Sequence, residues 1–259
     1  MNISSLFGVT LGIGIMYLSL KSTGTNLEFF LDVHGILIVC GGTFAAASIS
    51  FPLGKLFSLF KVFILRVLGR NRVDYMGTVG TIIELSKKIS SGANLTEASG
   101  YIKHPFLREA VQLVTSGVMT EREIRQVLDT RVRTIEAVYL HEANMFRTIG
   151  RFPPAFGLLA TTLGMIGVLQ RIGSPESQKL IGPAMSIGLI GTLYGIALTN
   201  LLFLPIAENL TERTKEEMML RKMIVEGAIM LKAQVNPVTM RESLNSYLMP
   251  KDRVKRKAA

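Results

Sequence analysis

FPPAFGLLATTLGMIGVLQ, Phe152 to Gln170, and LIGPAMSIGLIGTLYGIALTNLLFLPIA, Leu180 to Ala207, decide the fold. Neither stretch contains an Asp, Glu, Lys, Arg or His. A bilayer's hydrocarbon core is about 30 Å thick, so a spanning helix needs about 20 apolar residues. The second stretch exceeds that and has room to tilt. The first reaches across with its Phe152-Pro153-Pro154 entry. RIGSPESQK, residues 171–179, is polar and turn-forming, so the two stretches read as a transmembrane helical hairpin. Its polar atoms belong to Thr161, Thr162, Ser186, Thr192, Tyr194, Thr199 and Asn200, among prolines at 153, 154, 183 and 205 and many glycines. Small residues, hydroxyls and proline kinks suit close helix packing and a wet seam. A pathway moving protons unaided carries an ionisable group inside the bilayer. Here, if ions move, a partner supplies the titrating group.

The remaining composition agrees with a membrane protein. The 259 residues are 48% hydrophobic, with a mean hydropathy of +0.37, and the apolar residues fall in blocks. The net charge of +10 does not point to nucleic acid, because no Lys/Arg stripe is interleaved with aromatics. Cys40 is the single cysteine and lies inside an apolar segment, so no internal disulfide forms. No Cys/His spacing suggests zinc.

Read from the amino terminus, Met1 to Leu20 is a first span. It has no basic n-region, and no A-x-A-like site follows it, which argues against a signal peptide. Gly8 and Gly12 form a GxxxG pair that permits close helix contact. Val33 to Leu53 is a second span, with His34 at its mouth as an interfacial side chain. KLFSLFKVFILRVLGRNR then carries Lys55, Lys61, Arg66, Arg70 and Arg72. Charges at 61 and 66 are costly inside a bilayer, so this stretch reads as an interfacial helix. VDYMGTVGTIIELSKKISS has helical spacing. NLTEASGYI opens with a cap at Asn94 or Thr96. HPFLREAVQLVTSGV is an amphipathic helix ended by Ser116-Gly117. Thr120 and Glu123 form a capping box that starts a helix of some thirty residues leading towards Phe152. After Ala207 a mixed-charge helix runs to about Val235, Asn236-Pro237 breaks it, and VTMRESLNSYL and a basic tail follow.

Of the 29 Lys and Arg residues, 26 lie in 54–151 and 208–259. The positive-inside rule puts those segments in the cytoplasm, and four spans then put both termini there. The expected architecture is an all-α membrane protein with four transmembrane helices and a cytoplasmic helical domain between spans 2 and 3. Its parts are spans 1 and 2 (1–53), the helical domain with its interfacial helix (54–151), spans 3 and 4 (152–207) and a cytoplasmic helical tail (208–259).

This pattern resembles the MotA/PomA stator proteins of the bacterial flagellar motor, relatives of the ExbB and TolQ energising proteins. The resemblance covers nearly the whole chain. It is carried most specifically by PPAFGLLATTLGMIGVL, AMSIGLIGTLYGIALTNLLFLPIAENL and HPFLREAVQLVTSG. It implies a multi-pass inner-membrane protein forming a ring of five copies around a B-subunit (MotB or PomB) dimer. It further implies that a proton or a sodium ion passes at an Asp of that subunit, that the A ring turns, and that its cytoplasmic domain pushes on the rotor protein FliG. No tightly bound cofactor and no enzymatic activity are implied.

By the same resemblance, Pro154 opens the third span and Pro205 closes the fourth. Thr161 is the third-span threonine placed beside the ion in sodium-type members, and Thr192 faces the B-subunit Asp, with Tyr194 two residues on. Pro154 and Thr161 are seven apart and share a face, as do Gly188, Thr192, Gly195 and Thr199. Each threonine hydroxyl has a bland alternative, a bond to its own helix carbonyl. The rotor-contacting charges fall on Lys87 or Lys88 and on Glu97. SKKISSGANLTE is one residue longer than the family's compact spacing, so the choice between the lysines stays open.

Other readings make different demands. An ExbB/TolQ-like energiser of outer-membrane processes usually has three spans with its amino terminus outside. A self-contained transporter needs an ionisable group in the bilayer. An enzyme needs a nucleophile–base pair or a metal cluster, and the three histidines, at 34, 104 and 141, are scattered.

Overall fold

The computed structural model describes residues 3–22, 24, 30–67, 73–90, 102–170, 178–248 and 250. Regular structure among them is helical throughout: α1 (Ile3–Ser22), α2 (Val33–Ser50), α3 (Leu53–Val62), α4 (Tyr75–Ser90), α5 (Pro105–Thr115), α6 (Glu121–Ile149), α7 (Phe152–Leu169), α8 (Gln178–Ala197), α9 (Leu204–Lys232) and α10 (Pro237–Asn245). Three stretches are π-helical: Leu37–Gly41 within α2, Phe63–Val67 after α3, and Leu198–Phe203 joining α8 to α9. Asn94, Thr96 and Glu97 lie outside the described residues, as does most of the helix expected there.

Three helical runs are long and apolar enough to cross a membrane: Val33–Ser50, Glu121–Leu169 and Ile181–Lys232. A shorter apolar stretch, Thr10–Ser19, lies within α1. The first of these runs ends at Ser50, three residues before the expected Leu53. Phe51 is extended (φ −138°, ψ 145°) because it precedes Pro52, whose ring disfavours the helical region for its neighbour. Helix α9 likewise stops at Lys232, short of Val235, and Gln234 takes a φ of 51°.

The chain divides into two compact units. One comprises residues 1–71 and 140–211, the other 72–139 and 212–259. The division falls inside α6 and α9.

The second unit has its own core. Ile82 and Leu85 of α4, Phe106, Leu107 and Val111 of α5, Ile124 and Leu128 of α6, Met223 and Ile224 of α9, and Met240 and Leu244 of α10 are all buried in it. Helix ends are fixed as the sequence suggests. The Thr120 N–H donates to Glu123 Oε2 at 2.8 Å, and the Glu123 N–H returns a bond to Thr120 Oγ1 at 3.3 Å. The Thr120 N–H first, and then the Thr120 hydroxyl, which donates to the same carboxylate oxygen at 2.8 Å, hold the Glu123 carboxyl below its usual pKa. Asn236 caps α10 through the Val238 N–H, and Pro237 occupies the first turn, where its missing donor costs nothing. His104 caps α5 by accepting from Leu107 N at 3.4 Å. Burial first, and then the Arg221 cation, lower its pKa.

In the first unit, α7 and α8 pack along their lengths, with α2 against them. A smaller core gathers Leu56 and Leu59 of α3, Phe146 and Ile149 at the end of α6, and Ile206 and Leu210 of α9. The expected interfacial helix is thus anchored on one side, while Phe57 and Phe60 stay exposed. Just beyond it, Arg66 reaches Glu142 of α6 at 2.9 Å.

Candidate functional site at the α7–α8 seam

Helices α7 and α8 approach so closely that backbone meets backbone. A Cβ on Gly157 would lie 2.8 Å from the Gly191 carbonyl and 2.9 Å from Thr192 Cα. On Gly164 it would lie 2.7 Å from the Ala184 carbonyl, and on Gly188 it would lie 2.7 Å from Thr161 Cα. Gly195 abuts the Pro153 carbonyl. Partners descend in number along α8 as they rise along α7, so the pair is antiparallel. Glycine is required here because only a bare backbone fits at this spacing.

That spacing brings two hydroxyls together. Thr161 Oγ1 lies 2.6 Å from Thr192 Oγ1. Thr161 Oγ1 is also 2.9 Å from the Gly188 carbonyl and 3.2 Å from that of Gly157. Thr192 Oγ1 is 3.2 Å from each of the same two carbonyls. Each threonine hydroxyl is therefore within hydrogen-bonding reach of a carbonyl of its own helix and of one across the seam. Four oxygens share two hydroxyl protons. One proton can close the bridge between the hydroxyls and the other can go to a carbonyl. Lone pairs remain over, and this suits the cluster to accept from an approaching proton donor or to meet a cation. Both threonines are half-buried.

The other expected residues are placed as follows. Pro154 is half-buried in the first turn of α7, and Pro205 is exposed at the second position of α9, just past the π-helical Leu198–Phe203. Tyr194 is held to the entry of α2. Its hydroxyl donates to the Phe30 carbonyl and accepts from the Asp32 N–H at 3.3 Å. Lys87 and Lys88 are exposed in the last turn of α4, in the second unit. Glu97 lies outside the described residues. The structure therefore brings Thr161 and Thr192 together and leaves Tyr194 at the α2 entry.

Two further residues, to which the sequence assigned no role at the site, make bonds around it. Asp32 caps α2, accepting from His34 N at 2.9 Å, and its Oδ2 is buried with no hydrogen-bond partner among the described residues. An Asp just ahead of an apolar run was the available signal. Thr199 is buried and donates to the Gly150 carbonyl at 2.8 Å. Nothing in its local sequence marks that bond.

Residues 98–223 match the MotA/TolQ/ExbB proton channel family. Motility protein A of Borreliella burgdorferi is 30% identical over 257 residues, covering 98% of this chain and 96% of the relative. The uncharacterized protein YtxD of Bacillus subtilis is 31% identical, covering 92% and 87%. Chemotaxis protein PomA of Vibrio alginolyticus is 27% identical, covering 96% of each. The flagellar MotAB stator complex of Bacillus subtilis contains a chain that superposes with a TM-score of 0.86 at 25% identity, over 96% of this chain and 98% of that one. A chain of C. jejuni MotAB gives 0.88 at 20% identity, over 99% and 100%, which speaks for the fold. With similarity over its whole length and a seam that offers hydroxyls and carbonyls without a titrating group, the chain belongs to the MotA/TolQ/ExbB proton channel family, among the MotA/PomA-type A subunits of the flagellar motor stator.

Proposed function

We propose that the chain is the ring-forming, force-generating subunit of an inner-membrane stator, and that the α7–α8 seam lines its ion path. Four spans, with α1 as the first, place both termini and the second unit in the cytoplasm. Five copies surround a dimer of a MotB-type subunit. An Asp on that subunit's single span carries the proton or sodium ion, and Thr192, supported by Thr161, faces it. Protonation or ion loading neutralises the carboxylate, which then leaves the hydroxyl–carbonyl cluster of one copy for that of the next. Pro154, in the first turn of α7, and Pro205, at the start of α9, are the points at which the chain yields to allow the step. Tyr194 keeps the mouth of the path in shape by holding the α2 entry. Torque passes to the rotor protein FliG through charges of the second unit, Lys87 or Lys88 and Glu97.

The observation that carries this reading is the Thr161–Thr192 bridge at 2.6 Å between two helices with no Asp, Glu, Lys, Arg or His from Phe152 to Gln170 or from Leu180 to Ala207. Such a seam can receive a proton carrier and cannot be one. The test is complementation. Expressed with its MotB-type partner in a flagellated strain lacking stators, the chain should restore swimming. Swimming speed that follows sodium concentration at constant pH identifies sodium as the coupling ion, and independence from sodium identifies the proton. Ion conduction by the purified chain alone, without a B subunit, would refute the division of labour.

A further inference from the structure

The junction between α6 and α7 contains a carbonyl that its own helix cannot satisfy. Gly150 would bond in helical register to the N–H four residues on, but that residue is Pro154, which has none. A buried carbonyl without a donor is costly. Thr199 supplies one. Its Oγ1 donates to the Gly150 oxygen at 2.8 Å, from a side chain only 8% exposed.

Thr199, like Thr161 and Thr192, reaches a carbonyl outside its own helix. Thr130, Thr134 and Thr211 each bond the carbonyl four residues back in their own helix. Thr199 bonds 49 residues away. It lies in the π-helical stretch Leu198–Phe203, and Phe203 of the same stretch closes on the junction: a Cβ on Gly150 would sit 2.9 Å from Phe203 Cβ. The wide turn of the α8–α9 connection is thus fastened to the bend that leads into α7.

We propose that Thr199 is a positioning residue of the stator. Its hydroxyl replaces the N–H that Pro154 lacks and holds α7 in the register at which Thr161 meets Thr192. The functional half of this inference rests on the stator reading, and the hydrogen-bond half does not.

The test is a cycle of Thr199→Val, Thr199→Ser, Pro154→Ala and the Pro154→Ala/Thr199→Val double variant, each in the full chain with its B subunit. Thr199→Val should lower the unfolding midpoint of the purified complex by about 2–4 °C. Thr199→Ser should retain the wild-type midpoint. In the Pro154→Ala background a backbone N–H at position 154 takes over the Gly150 carbonyl, and Thr199→Val should then change nothing. An unchanged midpoint in Thr199→Val, or the same drop in both backgrounds, overturns the bond's assigned role. In swimming cells Thr199→Val should run at half the wild-type speed or less, and Thr199→Ser should rescue it. A Thr199→Val complex with a lowered midpoint but wild-type speed overturns the positioning role. If the unsubstituted chain fails to drive swimming, the stator reading fails, and the thermal cycle still decides whether Thr199 stands in for the missing donor.

Discussion

Replacing Gly188 with alanine tests the site most directly, because the consequence can be worked from distances. The new methyl would lie 2.7 Å from Thr161 Cα and 3.3 Å from the Thr161 carbonyl. Both are backbone atoms, so no side-chain rotation relieves the contact. Carbon atoms rest at about 3.5–4.0 Å, so the helices must separate locally by about 1 Å. The Thr161–Thr192 contact, 2.6 Å in the native seam, would then open to about 3.6 Å, beyond hydrogen-bond range. Overpacking of this kind costs about 1–3 kcal/mol, partly offset by about 1 kcal/mol of helix propensity gained over glycine. The complex should therefore still assemble while torque is lost. The assay is swimming and tethered-cell rotation beside membrane levels of the A–B complex. Gly167→Ala, on α7 where an added methyl meets nothing within 4 Å among the described residues, is the control and should swim normally. Normal rotation by Gly188→Ala would refute the claim that function depends on this backbone-to-backbone spacing.

Thr192→Val removes the hydroxyl and keeps the shape; torque should vanish with the complex assembled, measured by rotation and co-purification. Arg66→Gln breaks a 2.9 Å ion pair whose side chains are 18% and 23% exposed and should cost about 1–3 kcal/mol, read as a lowered unfolding midpoint with α3 loosened in hydrogen exchange. His104 gives a pH signature. Its pKa in the fold lies below the ordinary 6.5, from burial first and Arg221 second. The unfolded chain binds more protons in that window, so stability contributed by neutral His104 is full above pH 6.5 and falls as pH drops towards the folded pKa. His104→Asn keeps a capping acceptor and should flatten that slope in chemical denaturation of the full chain. Thr120→Ala removes the capping box and should cost about 1 kcal/mol in the same measurement.

What the sequence made legible follows from which forces are local. The Phe152–Gln170 and Leu180–Ala207 blocks declare themselves because burial in lipid selects composition over a whole segment. The Thr120–Glu123 box, the Asn236-Pro237 break and the Ser116-Gly117 stop are written in side chains that bond within three or four residues. The end of α2 was expected at Leu53, although Phe51-Pro52 carried the signal for an earlier stop, since a residue before proline is pushed out of the helical region. The three π-helical stretches were not legible: an extra residue in a turn leaves composition and hydropathy unchanged. The resemblance named Thr161 and Thr192 separately, and their contact at 2.6 Å is visible only in the fold. The bond from Thr199 to Gly150 joins residues 49 apart and depends on a bend that only the folded chain possesses. Tyr194 looked like one more polar atom on the α8 face, and its attachment to Phe30 and Asp32 is equally a matter of tertiary approach.

The way α7 meets α8 has a mechanical consequence. Contacts made by main-chain atoms have no rotamers through which to yield, so the two helices must answer a load as a single stiff rod. Compliance is left to the ends of that rod, at Gly150 and Arg151 on one strand of the path and at Leu198–Phe203 on the other. In the stator proposed above, elastic strain would gather at those two short joints and spare the Thr161–Thr192 contact.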